Sequence, residues 1–417
     1  MDEDEVVITG LGAICCLGAG VPAFWAGLTS ATSSPTPIPD QYCHVDNSLV
    51  YQVPADDDPG RYDLAGAPLG RAARYATLAA REAVTDAGLT LGDGQLGDGQ
   101  PGVDPDRLAV VIGTGMGDTQ LREIWRAGSH RAGSHSAGHR ADSHSAGQHA
   151  IVFTPASAVA AELGAGGPVG SVSTACAAGG YALSYAADLI RSGAASVAVA
   201  GGTDTYSRIA LGCFNRMGAV DPERCRPFDR NRQGTVFGEG AAMLVLESAA
   251  HARRRGARRY ARLAGSGWSC DAHHLTAPEP AGSEIIRAML RAIADGGITA
   301  ADVGAVVPHG TGTQLNDVVE GIALNGVLGD ASRVPLYNLK ALIGHTGGAA
   351  GAFAALAGAL ILHRGTVPRN AAPKELDPAC ELWIPTETEA RPTGTALLVN
   401  AYAFGGNNVS LALTEAT

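Results

Sequence analysis

Long hydrophobic runs are missing from this 417-residue chain. No stretch of about 18 uninterrupted apolar residues occurs, so no membrane span is expected. The first residues, Met1-Asp2-Glu3-Asp4-Glu5, are acidic. They lack the positive n-region and apolar run of a secretory signal, and a cytoplasmic protein is expected. Aromatics are scarce at 5%, and charged residues stand at only 17%. The net charge is −11, and no basic groove interleaved with aromatics is visible. A general nucleic-acid binder is therefore not expected. The eight cysteines include no C-x-x-C pair and no metal-ligand spacing, so no metal site is expected from them. They read as reduced thiols in a large core.

What the chain does have is apolar residues, at 46%, and 56 glycines. That suits a large covered core with small-residue packing, in two ordinary domains or one fused unit. Buried apolar strands read at Val6–Ile14, Arg107–Gly113, Val169–Val172 and Val197–Gly202. More follow at Ala261–Trp268, Val303–Pro308, Pro335–Leu339, Ala396–Ala401 and Val409–Leu413. Helices read at Pro22–Leu28, Arg71–Ala87, Tyr181–Ile190, Ser283–Asp295, Asp317–Leu328 and Gly348–Arg364. The alternation predicts an α/β protein with helix-covered sheets in two halves, 1–250 and 251–417.

Residues 30–70 are rich in Pro, Asp and Ser and read as surface loop. The repeats in 91–106 read as a flexible connection. Gly113-Thr114-Gly115-Met116-Gly117 follows a strand but does not complete a dinucleotide fingerprint. Residues 127–149 are low-complexity, with histidines at 130, 135, 139, 144 and 149. Nothing in that tract fixes a coordination geometry, so a Ser/Gly/His loop is the expectation. The basic run Arg253–Arg259 reads as a solvated helix end.

Three turns carry the chemistry. Ser171-Val172-Ser173-Thr174-Ala175-Cys176-Ala177-Ala178-Gly179-Gly180 is a strand running into small residues and then a helix. Cys176 at that helix start is expected to gain thiolate character from free N–H groups and the helix dipole. A buried structural cysteine has the same local pattern. Two more strands end in small-residue turns with a histidine: His309-Gly310-Thr311-Gly312-Thr313, and Lys340 through Gly344-His345-Thr346. A cysteine nucleophile with neutral imidazole donors suits acyl-thioester chemistry. Lys340 is expected to hold an imidazole neutral. Asp317 and Glu320, at i and i+3 on one helix, are expected to pair with that lysine.

These stretches resemble the β-ketoacyl-acyl carrier protein synthases, the condensing enzymes of fatty-acid and polyketide synthesis. The resemblance covers nearly the whole chain, from Val6-Val7-Ile8-Thr9-Gly10-Leu11-Gly12 to Phe404-Gly405-Gly406-Asn407-Asn408. It also takes in Arg226-Pro227-Phe228-Asp229 and Gly238-Glu239-Gly240-Ala241. It implies a thiolase-like fold, with two pseudo-duplicated halves in α-β-α-β-α layers, acting as a homodimer or as a heterodimer with a second ketosynthase-like subunit. It implies that Cys176 takes an acyl group from an acyl carrier protein, with the N–H groups of Cys176 and Phe404 as oxyanion hole and Phe404 as gate. His309 and His345 would bind the malonyl thioester, promote CO2 loss and stabilise the enolate. Lys340, Glu320, Asp317, Thr311 and Thr313 would support them. No cofactor is implied beyond the phosphopantetheine arm that the carrier protein brings. Arg71 and Arg74 fall where the family places basic docking residues.

Departures from the family pattern cluster around the pocket. Ala177 follows Cys176 where Ser or Thr is usual, and Ala403 precedes Phe404 where Gly is usual. Thr235 replaces the phenylalanine that walls the malonyl carboxylate in apolar surface. Two other readings follow: a catalytically silent, chain-length-factor-type partner subunit, and a cysteine acyltransferase that does not decarboxylate.

Overall fold

The computed structural model describes residues 5–416, except 39, 41–42, 61–62, 65–66, 92–102, 122 and 124–151. The histidine tract at 127–149 and most of the 91–106 connection lie outside the described residues.

Nine principal strands form one continuous path. They are β1 (Val6–Cys15), β2 (Leu108–Gly113), β3 (Val169–Val172), β4 (Val197–Asp204) and β5 (Gly240–Ser248) in the first half. In the second half are β6 (Ala261–Cys270), β7 (Val303–Val307), β8 (Ala396–Tyr402) and β9 (Asn407–Thr414). Their order is β7-β8-β9-β6-β1-β5-β4-β2-β3. The two halves join where β1 meets β6, through Val7 opposite Arg262 and Ile8 opposite Ala261.

Helices cover both faces. The principal ones are α1 (Arg71–Asp86), α2 (Thr154–Leu163), α3 (Ala178–Arg191), α4 (Arg208–Arg216), α5 (Ser283–Asp295), α6 (Gln314–Leu328) and α7 (Ala350–Arg364). Helices α1 and α2 pack together outside the first half, and α5 and α6 outside the second. Helices α3 and α7 pack against each other and against strands of both halves. This is the expected five-layer arrangement. The central α7 is buried along Ala350–Leu362, which explains its apolar sequence. The segment Gly347–Arg364 is long and apolar enough to cross a membrane, yet 83% of it is buried inside the protein.

Glycine permits a close approach in that middle layer. A Cβ on Gly179 of α3 would sit 2.8 Å from the Gly348 carbonyl and 2.9 Å from the Ala352 nitrogen. Real Cβ atoms do not come so near backbone, so any side chain here would push apart the turns after Cys176 and His345.

Two local expectations change. Pro335–Leu339 is not a strand: it makes only isolated bridges, Val306 with Leu336 and Pro335 with Trp383. Residues 30–70 are not all surface loop. Val50 and Tyr51 are fully buried, on a short strand (Leu49–Tyr51) that pairs with Phe237–Gly238. Phe237 in turn bridges His345. That segment therefore helps hold a predicted catalytic turn. Alternating polarity was too weak over so few residues to signal it.

Candidate active site

Strand β3 ends in a tight 3-10 turn, Ala175–Ala177, before α3 begins. Ala175 has φ 48°, in the left-handed region that costs a non-glycine residue about 1 kcal/mol. The strained turn carries Cys176 into a cavity of about 410 Å³. His309, His345, Thr311, Thr313, Thr235, Ala403 and Phe404 line the same cavity. The sequence placed these residues on separate turns, and the fold brings them together.

Buried carboxylates shape the histidine turns. His309 follows β7, and its N–H and that of Gly310 each donate to the Glu320 carboxylate at 2.7 Å. Asp317 accepts from the N–H groups of Phe228 at 2.7 Å and Thr311 at 3.0 Å, and from Gly312 at 3.2 Å. Both carboxylates are fully buried on the first two turns of α6. The expected pairing with Lys340 is corrected: no ion pair joins Lys340 to either among the described residues, and Arg232 is the near cation of Asp317, at 3.5 Å. Backbone amides compete successfully for these oxygens because the tight turn has no other acceptors for them. Burial drives the Glu320 carboxyl up to about 7 and raises that of Asp317.

Lys340 turns instead to His309. Its ammonium donates to the His309 carbonyl oxygen and lies 3.4 Å from Nδ1. An ammonium can only donate, so Nδ1 accepts and the ring proton stands on Nε2. His345 reaches the same state by another route, its Nδ1 accepting the Gly347 N–H at 3.2 Å. The two rings meet edge to face with centroids 5.6 Å apart. Burial first, and the Lys340 charge second, hold both imidazoles well below the usual histidine range. Two neutral Nε2–H donors result, as the expectation of Lys340 holding an imidazole neutral required.

Cys176 differs from expectation. Burial pushes its thiol up to about 11, and the Lys340 charge only partly opposes that. The Asp204 carboxylate adds to the rise. Desolvation at this turn outweighs the Lys340 charge and the backbone hydrogen bond that favour the thiolate. The resting nucleophile is a thiol.

Asp204 was missed as a functional position. Fully enclosed at the end of β4, it accepts from the Thr114 hydroxyl at 2.7 Å and from the N–H groups of Gly115 at 2.8 Å, Met116 at 2.9 Å and Gly348 at 2.5 Å. It ties the Gly113–Gly117 loop to the turn after His345. The amides of that glycine-rich loop are thus spent on Asp204, not offered to a phosphate. A carboxylate ending a buried, mostly apolar strand was the available signal.

Phe404 stacks on Phe214, with ring centroids 5.1 Å apart and planes 12° from parallel. The Phe404 N–H has no acceptor among the described residues. The positive φ angles of the gate loop fall on Gly405 and Gly406, at 86° and 77°. Ala403 needs none, and its N–H closes the hairpin on the Asn407 carbonyl at 2.9 Å. Thr235 is fully buried, with its hydroxyl 3.7 Å from the Cys225 sulfur.

Three expected site residues fall elsewhere. Ala177 is fully buried in the main hydrophobic core and does not line the cavity, because the 3-10 turn points successive side chains apart. Arg71 and Arg74 do not offer a free basic patch. Arg71 pairs with Glu239 at 2.6 Å and Asp58 at 3.3 Å, and Arg74 pairs with Asp58 at 3.0 Å. Buried Glu239 needs a cation, and α1 supplies it.

A layered α/β protein with a cysteine and two neutral histidines around one cavity, and a buried lysine behind one of the histidines, defines an acyl-thioester enzyme of thiolase-like fold. Residues 3–252 match the N-terminal domain of beta-ketoacyl synthases, and residues 260–373 match the C-terminal domain. The chain belongs to the beta-ketoacyl synthase family and is an acyltransferase by class. It is 36% identical to the tetracenomycin polyketide synthase ketoacyl synthase alpha subunit of Streptomyces glaucescens, over 97% of this chain and 95% of that one. The ishigamide ketosynthase/chain length factor superposes with a TM-score of 0.88 at 34% identity, over 99% of both chains. A type II polyketide ketosynthase in complex with its acyl-carrier protein, bound to the hexaketide, superposes with a TM-score of 0.85 at 26% identity, over 99% of both chains.

Proposed function

We propose that this chain is a ketosynthase that extends a carrier-bound acyl chain by decarboxylative condensation, in polyketide rather than fatty-acid synthesis. The observation that carries the reading is the single cavity that holds Cys176 and two Nε2–H donors.

The Cys176 thiol loses its proton as sulfur attacks the acyl thioester, and the departing pantetheine thiolate takes one up. The N–H groups of Cys176 and Phe404 receive the oxyanion. A malonyl thioester then enters with its carbonyl oxygen between His309 and His345. Its bond to the carboxylate breaks, CO2 leaves, and the electron pair spreads onto that oxygen, where the two imidazole N–H groups stabilise it. The enolate carbon attacks acyl-Cys176, the C–S bond breaks, and the β-ketoacyl product leaves on the carrier. The reading needs no metal or organic cofactor, because the phosphopantetheine arm arrives with the carrier protein. It places the enzyme in the cytoplasm, as a dimer. The likeness to a ketosynthase/chain length factor pair supports a heterodimer with a second ketosynthase-like subunit. A silent role for this chain itself is disfavoured by its complete set of Cys, His, His and Lys.

The test is incubation with acyl- and malonyl-loaded carrier protein, followed by intact mass and CO2 release. Cys176 is expected to gain the acyl mass, and CO2 to appear with the β-keto product. An unmodified Cys176 would end this reading. Acylation without CO2 would instead favour a non-decarboxylating acyltransferase, which the buried Thr235 hydroxyl in the cavity wall supports. Thr235→Phe separates the two, since restoring an apolar wall should raise CO2 release only if malonyl is bound there.

A further inference from the structure

Six rings follow one another around the catalytic cavity. Phe404 stacks on Phe214, with centroids 5.1 Å apart. Phe214 meets Phe237 edge to face at 4.8 Å and 77°. Phe237 stacks on the His345 imidazole at 6.2 Å and 26°. His345 meets His309 at 5.6 Å, and His309 meets Tyr402 at 5.5 Å. Ala403 alone separates Tyr402 from Phe404, so the chain itself closes the circuit. All of these residues line the cavity except Phe237. Phe237 therefore links the gate to a catalytic histidine without facing the substrate.

Backbone bonds seat Phe237 and the His345 turn together. Phe237 pairs with Val50. The His345 N–H donates to the Val236 carbonyl at 2.8 Å, and the Gly238 N–H donates to the His345 carbonyl at 3.0 Å. Phe214 and Phe237 both pack on Val50, Tyr206, Leu211 and Val220. The 3.2 Å bond from Gly347 fixes His345 Nδ1. It does not fix the tilt of the ring about that bond, which the Phe237 face limits. Aromatic pairs hold one another in preferred orientations. When Phe404 leaves Phe214, the Phe214 ring loses the neighbour that keeps its edge on Phe237. We propose that Phe237 is a positioning residue that passes the seating of the Phe404 ring, through Phe214, to the His345 imidazole. The His345 Nε2–H is then aimed at the malonyl thioester oxygen when Phe404 lies on Phe214, and CO2 loss waits for the closed gate. This rests on the ketosynthase reading and deepens it, by giving its steps an order.

The experiment is a double-mutant cycle in the full-length protein, with Phe237→Leu, Phe404→Leu and the two combined. Leucine keeps an apolar side chain and every backbone bond, and removes the ring. Each protein is acylated on Cys176 with hexanoyl-pantetheine, followed by intact mass, and then given malonyl-pantetheine while CO2 release is timed. Phe237→Leu should slow CO2 release about tenfold, the scale of one aromatic pair. Acylation of Cys176 does not use His345, so its rate should stay within about twofold of wild type. Phe237 and Phe404 are two contacts apart in the circuit, and independent losses would multiply. A relay instead makes the double variant no slower than the slower single variant. Multiplied losses overturn the proposal. So does an unchanged CO2 rate in Phe237→Leu. An equal fall in acylation overturns it too, since loosening of the fold would slow both steps. If the wild type takes no acyl group or releases no CO2, the ketosynthase reading itself fails, and this inference falls with it.

Discussion

The ammonium of Lys340 donates to the backbone carbonyl of His309 and lies 3.4 Å from Nδ1 of the same residue. One buried cation thereby sets the ring's tautomer, adds to the burial that keeps it neutral, and anchors the turn that carries it. Replacing it with methionine should leave a packed core but free the tautomer. Lys340→Met is expected to lower CO2 release from malonyl-carrier protein about 100-fold, the scale of one lost electrostatic contact in a dry site. His309 should titrate closer to the ordinary histidine range. Imidazole resonances followed by NMR against pH would report it, and an unmoved His309 would show that burial alone keeps the ring neutral.

Neutral imidazoles predict a flat acid limb. Both His309 and His345 are held well below the usual histidine range, so their Nε2–H groups remain donors on uncharged rings as pH falls. The decarboxylation rate should therefore stay level from about pH 8 to pH 6, whereas an ordinary imidazole would be half protonated near pH 6.5. His309→Ala and His345→Ala should each lower that rate about 10² to 10³-fold. CO2 release measured across this range checks both statements.

The thiol pKa of about 11 at Cys176 predicts slow alkylation at neutral pH. A thiolate forms as pH rises through the pKa, so the reaction with iodoacetamide should climb about tenfold per pH unit between pH 7 and 10. A plateau by pH 8 would mean that Lys340 outweighs burial. Intact mass with and without Cys176→Ala assigns the modified site.

Glu320 couples the site to stability. Its folded pKa of about 7 lies above the ordinary carboxylate value of 4.5. The native state therefore holds a proton that the unfolded chain releases first. The favourable state is fully present below about pH 4.5 and is lost as pH rises through 7. The stability of the wild type relative to Glu320→Gln should fall by about 3 kcal/mol over that window. Urea unfolding of both proteins at pH 4.5, 6 and 7.5 measures it. A constant difference would mean that the His309 and Gly310 amides already hold Glu320 ionised at low pH.

The sequence by itself put Cys176, His309 and His345 forward as the candidate reacting set. Cys176 and His309 each follow a short strand, and with His345 they sit among small residues, a pattern local enough to read without a fold. Helix Ser283–Asp295 was legible to the residue for the same reason, since its strong amphipathic period settles its limits. Tertiary structure decided everything that depends on a distant neighbour. Arg71 and Arg74 looked available until Glu239 and Asp58 came beside them. Asp317 and Glu320 share a helix face with the right spacing for Lys340, but the amides of the adjoining turn reach them first. The helix start at Cys176 promised a thiolate, while the surrounding core, assembled from both halves, desolvates it into a thiol. Periodicity and turn chemistry act over a few residues, whereas burial and charge act through space. The first can therefore be read along the chain, and the second only in the folded molecule.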